Sequence, residues 1–90
     1  MTTNPYLQVT CEILGALDQV TRAGQSPLMR KVLDILRREA LRPDLRLAQP
    51  EVAALMGAIE DLEHEAARRA PDPAAFNRRA QVVVAALSAS

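Results

Sequence analysis

Three times in this 90-residue chain, a residue able to cap a helix is followed directly by proline. The pairs are Asn4-Pro5, Ser26-Pro27 and Asp72-Pro73. A side-chain oxygen at the N-cap accepts hydrogen bonds from free backbone amides of the first turn. Proline is tolerated at the next position, because the N–H that it lacks would have no partner within the helix. Each pair therefore predicts the start of a helix.

Apolar residues follow these starts at three- and four-residue steps, which is the spacing along one face of an α-helix. Pro50 provides a fourth start, and Gly24, Pro43 and Pro71 provide ends. The predicted helices are residues 5–23, 27–42, 50–70 and 73–87. The β-branched run Val82–Val84 would suit a strand, but no partner strand is evident, so a helix is expected there too.

The segment between Pro43 and Pro50 is expected to be a connector whose Leu45 and Leu47 pack beneath the helices. Connectors of roughly two to eight residues favour antiparallel neighbours. We therefore expect residues 1–90 to form a single helical domain, an all-α, compact up-down bundle of about four helices.

Composition limits the core and the environment. Only Tyr6 and Phe76 are aromatic although 49% of the residues are apolar, so an aliphatic core is expected. Eleven basic residues balance eleven acidic ones, which leaves no net charge to attract nucleic acid or an anionic membrane. Cys11 is the single cysteine, and no apolar run approaches the roughly 20 residues of a membrane span. These features, with arginine strongly preferred over lysine, predict a cytoplasmic protein of bacterial type.

The only histidine, His64, lies in the acidic segment 60–65. Asp61 and His64 have the three-residue spacing by which one helix can offer two ligands to a metal. The other predicted helices contain no histidine to complete such a site, so the segment is interpreted as a solvated acidic face. Neither His64 nor Cys11 has an evident catalytic partner, and the three glycines form no phosphate-binding loop. We expect no metal, no cofactor and no enzymatic activity.

Residues 49–57 resemble the first helix and turn of a helix-turn-helix, in which a small residue, here Ala53, precedes a turn glycine, here Gly57, by four positions. The segment 58–70 would then be the recognition helix. That segment would bring several carboxylates towards DNA phosphates and would place Glu63 at an expected core position. We therefore expect the third helix to continue through Gly57.

The second predicted helix and the residues after it form a locally basic segment, and the end of the third predicted helix is acidic. The basic residues of this segment are Arg30, Lys31, Arg37, Arg38, Arg42 and Arg46. The basic segment could attract nucleic acid, or the two segments could attract each other within one chain or between two chains. The second interpretation is favoured, because acidic residues interrupt the basic segment and no aromatic residue is available for base stacking. The predicted charged docking residues are Arg37, Arg38, Glu60 and Asp61.

Two carboxylates project into apolar helix faces, Glu39 on the second predicted helix and Glu63 on the third. A buried carboxylate needs a cation or hydrogen-bond donors. We expect each to reach an arginine or water; the alternative is that they fix helix register or bind a partner's arginine. Pairs within one helix are also expected, namely Asp34 with Arg38, Glu39 with Arg42, and Glu65 with Arg68 or Arg69.

The apolar arcs of the first two predicted helices are wider than the roughly 100° stripe that suffices for a surface helix. Either both helices lie deep in the bundle, or another chain covers part of their apolar surface. The predicted interaction face is Leu7, Leu14, Leu17, Met29, Leu33 and Leu36. The expected function is a non-enzymatic protein–protein interaction module, such as an accessory subunit, adaptor or small regulator, that binds a protein partner or forms a homo-oligomer. The alternatives are a helix-turn-helix nucleic-acid-binding regulator and a metal-binding helical dimer.

Overall fold

Four α-helices account for most of the chain in the computed structural model, which describes residues 4–89. The helices are α1 (Pro5–Ala16), α2 (Arg22–Ala40), α3 (Gln49–Ala66) and α4 (Pro73–Ala89), with a single 3-10 turn, Leu17–Gln19, after α1. Each helix packs against the next along the chain, α4 closes the bundle against α1, and α2 meets α4 across it. The predicted all-α bundle of four helices is confirmed.

Two of the three predicted cap-plus-proline starts are confirmed. Asn4 Oδ1 accepts hydrogen bonds from the amides of Tyr6, at 2.9 Å, and Leu7, at 3.4 Å. Asp72 Oδ1 accepts from the amides of Ala74, at 3.0 Å, and Ala75, at 3.3 Å. These bonds use the first-turn donors that have no partner inside the helix. The caps thus fix the starts of α1 and α4.

The start predicted at Ser26-Pro27 is wrong, because both residues lie inside α2, which begins at Arg22. The first helix also ends before Gly24: α1 stops at Ala16, and the 3-10 turn carries Leu17 into the core. The backbone then becomes extended at Val20. Pro27 gives up only the amide bond to the carbonyl of residue 23, and helix α2 continues through it.

The remaining boundaries lie close to the prediction. Helix α3 begins one residue before Pro50 and ends at Ala66, four residues earlier than predicted. The valine run stays helical within α4, where Val83 and Val84 are buried and Val82 is exposed. No described helix combines the length and the apolar character needed to cross a bilayer.

The core is almost entirely aliphatic, as the composition predicts. Phe76 is its one aromatic member among the described residues, and it is fully buried. Leu45 and Leu47 of the connector pack against the core, as predicted. The other buried apolar residues are Leu7, Leu14, Leu17, Met29, Val32, Leu33, Leu36, Leu55, Ile59, Leu62, Ala80, Val83, Val84 and Leu87.

Candidate docking site

The predicted interaction face lies in the interior of this chain. None of its six residues exposes more than 5% of its surface. Helices α1 and α2 each contact α4 as well as one another, so a wide apolar arc is needed simply to face two neighbours. The prediction is therefore corrected: Leu7, Leu14, Leu17, Met29, Leu33 and Leu36 are core residues, and none is available to a partner in this fold.

Of the predicted charged docking residues, only Arg37 joins two helices. Arg37 Nη2 lies 2.8 Å from Glu63 Oε1, and its Nε donates to the same oxygen at 3.1 Å. The end of α2 and the end of α3 therefore attract each other within one chain, through Glu63 rather than through Glu60 or Asp61. The expectation that Glu63 reaches an arginine is confirmed.

The other predicted charged docking residues stay at the surface. Arg38 pairs with Asp34 one turn earlier, at 3.4 Å, as the spacing predicts. Glu60 and Asp61 are exposed, and neither is in an ion pair with a residue in the range 4–89. An exposed pair within one helix contributes little to stability.

Glu39 of α2 is buried, with 6% exposed, and its carboxylate contacts both the cap of α1 and the connector after α2. Its Oε1 accepts a hydrogen bond from Asn4 Nδ2, in the cap of α1. The same oxygen lies 3.1 Å from Arg42 Nη1, which confirms the predicted pair, and Arg42 Nε lies 3.6 Å from Asp44 Oδ1. The Glu39 carboxylate is thus bound within the chain.

Glu65 is also buried, with 3% exposed, and it closes the loop between α3 and α4. Its Oε1 lies 3.3 Å from Arg68 and 3.8 Å from Arg79, and its Oε2 accepts from the amide of Asp72 at 3.3 Å. The pair with Arg68 was predicted, but the burial was not. The sequence does contain an indication of this burial, because Glu65 lies three residues after the core residue Leu62 and therefore on the same face of α3.

Helix α3 is unbroken from Gln49 to Ala66. The prediction that it continues through Gly57 is confirmed, so the turn that a helix-turn-helix needs is absent at this position. A Cβ at Gly57 would meet no atom within 4 Å, because this side of α3 faces open space. Among the described residues, no three His, Cys, Asp or Glu side chains are placed to hold one metal ion.

An open apolar groove of about 390 Å³ lies between α3, α4 and the connector. We call it the α3/α4 groove. Its lining residues are Arg46, Leu47, Glu51, Ala54, Leu55, Ala58, Val82, Val83 and Ala86. Leu55 and Val83 are buried beneath it, whereas Val82 is 68% exposed. Apolar side chains therefore form both the floor and one exposed wall of the groove.

The sequence builds this groove from small residues at helical spacing. Glu51, Ala54 and Ala58 lie three and four residues apart on one face of α3. Val82 and Ala86 lie four residues apart on α4. Because alanine side chains are short, they leave space above the helices that larger residues would fill. The sequence pattern alone does not reveal the groove, since its depth depends on how α3, α4 and the connector pack.

The rim of the groove carries two charges of opposite sign. Arg46 and Glu51 are both exposed, and neither is in an ion pair with another residue of the described chain. In contrast, Arg37, Arg38 and Arg42 of the neighbouring helix and its connector all pair with carboxylates. The charges at the groove are thus available to a binding partner.

No protein-family model, no curated protein and no solved structure matches this chain.

Proposed function

We propose that this chain is a non-enzymatic protein–protein interaction module that binds the apolar face of an amphipathic α-helix in the α3/α4 groove. The observation that carries the proposal is the groove itself, with an exposed aliphatic wall at Val82 and a buried apolar floor at Leu55 and Val83. Binding of one helix in the groove between two others is a recurring mode of protein recognition, with anchors at three- and four-residue steps.

A helix suits the groove better than a small molecule does. Small-molecule sites bury about 70–90% or more of a drug-sized ligand. The α3/α4 groove is only partly enclosed, and Val82 stands 68% exposed at its wall. The alanines Ala54, Ala58 and Ala86 also allow a partner helix to approach closely. Covering these residues with apolar side chains would remove them from water, which is favourable in proportion to the area covered.

A photo-cross-linking side chain at Val82 tests the proposal in the full chain, in cells that produce the protein. We expect one discrete adduct, with the cross-linked peptide located by mass spectrometry on an amphipathic helix. Ala54→Glu places a charge in the groove on an already exposed helix position, and it should abolish that adduct. The same cross-linker at Arg30, which is exposed on α2 away from the groove, is the matched control and should not give it. The absence of an adduct from Val82, or an adduct that Ala54→Glu leaves unchanged, would overturn the proposal.

A further inference from the structure

We infer that the helix bound in the α3/α4 groove is α4 of a second copy of this chain, so that the two grooves face each other. The copies would be related by a two-fold axis, with Arg46 of each pairing with Glu51 of the other. This inference rests on the proposed docking function of the groove and names its partner. It is carried by the charges of the rim and by the shape of the apolar walls.

The rim is electrostatically self-complementary. It holds one cation, Arg46, and one anion, Glu51, and neither has an ion-pair partner among residues 4–89. A uniformly acidic or uniformly basic partner helix would be attracted by one of them and repelled by the other. In an isologous interface the same surface meets itself in reversed order, so residue 46 can face residue 51 twice. A second copy satisfies both charges at once.

The apolar walls are also self-complementary, in shape rather than in charge. Val82 projects from α4 with 68% of its surface exposed, while Ala54, Ala58 and Ala86 leave room beside it. One surface therefore carries both a branched side chain that protrudes and a depression lined by small side chains. Two such surfaces placed face to face bury each Val82 against the partner's groove, which removes apolar area from water.

The groove extends only a short way along α3. Its lining on α3 runs from Glu51 to Ala58, which is about 10 Å along the helix axis. So short a groove favours a small interface, and small interfaces are typical of weak, transient complexes. We therefore expect a reversible dimer.

Charge reversal at the rim tests the inference, with sedimentation equilibrium of the purified full chain as the measurement. Arg46→Glu gives two facing pairs of acids in the dimer, and Glu51→Arg gives two facing pairs of bases. Each single variant should weaken self-association at least tenfold. An equimolar mixture of the two variants should associate at least as well as the unmodified chain, because each acid then faces a base. The double variant should also regain association.

Arg30→Glu is the matched control, since it makes the same change in net charge at an exposed site on α2 away from the groove. It should leave association unchanged, and circular dichroism should show the same helical signal for all variants. Equal weakening by Arg30→Glu, or failure of the mixed variants to associate, would overturn the inference. A chain that stays monomeric at millimolar concentration, while its Val82 cross-linker captures a helix of another protein, would overturn the dimer and leave the docking function standing. No adduct and no dimer would overturn both.

Discussion

The two halves of the bundle use their apolar residues in different ways. Helices α1 and α2 carry large aliphatic residues that face inward, such as Leu14 and Leu33. Helices α3 and α4 place alanines on their outer surface and leave Val82 exposed above a groove. A wide arc of large residues thus marks a helix with several internal neighbours. On α3 and α4, a row of small residues beside the exposed Val82 leaves a depression at the surface instead.

The halves also differ in how their charges are used. Glu39 and Glu65 are buried, and arginines of the same chain pair with both. Arg46 and Glu51 flank the open groove without an ion pair to any described residue. The buried carboxylates thus hold Arg42 and Arg68, whereas Arg46 at the groove has no such partner. The following predictions test this contrast from the largest expected effect on stability to the smallest.

Leu14→Asp should unfold the protein. Leu14 is 1% exposed, so the substitution buries a carboxylate without a partner and removes core contacts. We expect a loss of at least about 4 kcal/mol, a large part of the 5–15 kcal/mol by which domains are usually stable. Circular dichroism should show the loss of helical signal. A dissociated but still helical Leu14→Asp protein would restore this residue to an interaction face.

Glu65→Ala should destabilise the fold by about 1–3 kcal/mol, since it removes the acceptor for the Asp72 amide and the partner of Arg68 and Arg79. Both arginines are largely exposed and can be solvated, which limits the loss. Chemical denaturation provides the measurement. Glu60→Ala, at an exposed glutamate on the same helix outside the groove, is the matched control and should change stability by no more than about 0.5 kcal/mol. Equal effects of the two substitutions would contradict the contrast between buried and free carboxylates.

Gly57→Ala should stabilise the fold by about 1 kcal/mol. Gly57 lies inside the continuous helix α3, its φ is not positive, and an added Cβ would meet no atom within 4 Å. Alanine has the higher helix propensity and loses less backbone entropy on folding. Gly15→Ala, which is equally unobstructed near the end of α1, makes a useful comparison. Destabilisation by Gly57→Ala in thermal denaturation would instead indicate a turn at this position.

Val82→Asp should leave the stability of the monomer within about 0.5 kcal/mol of the unmodified chain, because Val82 is 68% exposed. Self-association, in contrast, should be lost, since the substitution places a charge on the apolar wall of the groove. Light scattering and denaturation on the same sample separate the two effects. Ala85→Asp, an exposed position on α4 outside the groove lining, is the control and should keep both properties. Association that survives Val82→Asp would exclude this face.

Sequence alone determined the features that depend on neighbours within one helical turn. The caps at Asn4 and Asp72, the helical state of the valine run and the pairs of Asp34 with Arg38 and Glu39 with Arg42 all match the prediction. Helix geometry fixes the distances between residues three or four apart, so the chain needs no distant contact to specify them.

Tertiary structure decided which surfaces are inside and which are open. The start of α2 at Arg22 follows from the turn that places Leu17 in the core rather than from the signal at Ser26 and Pro27. Likewise, the wide apolar arcs of α1 and α2 show only that these faces must be buried against some other surface. The contacts with α4 show that this surface belongs to the same chain. The α3/α4 groove arises where three segments meet around short side chains, and no spacing along one helix encodes the space between them.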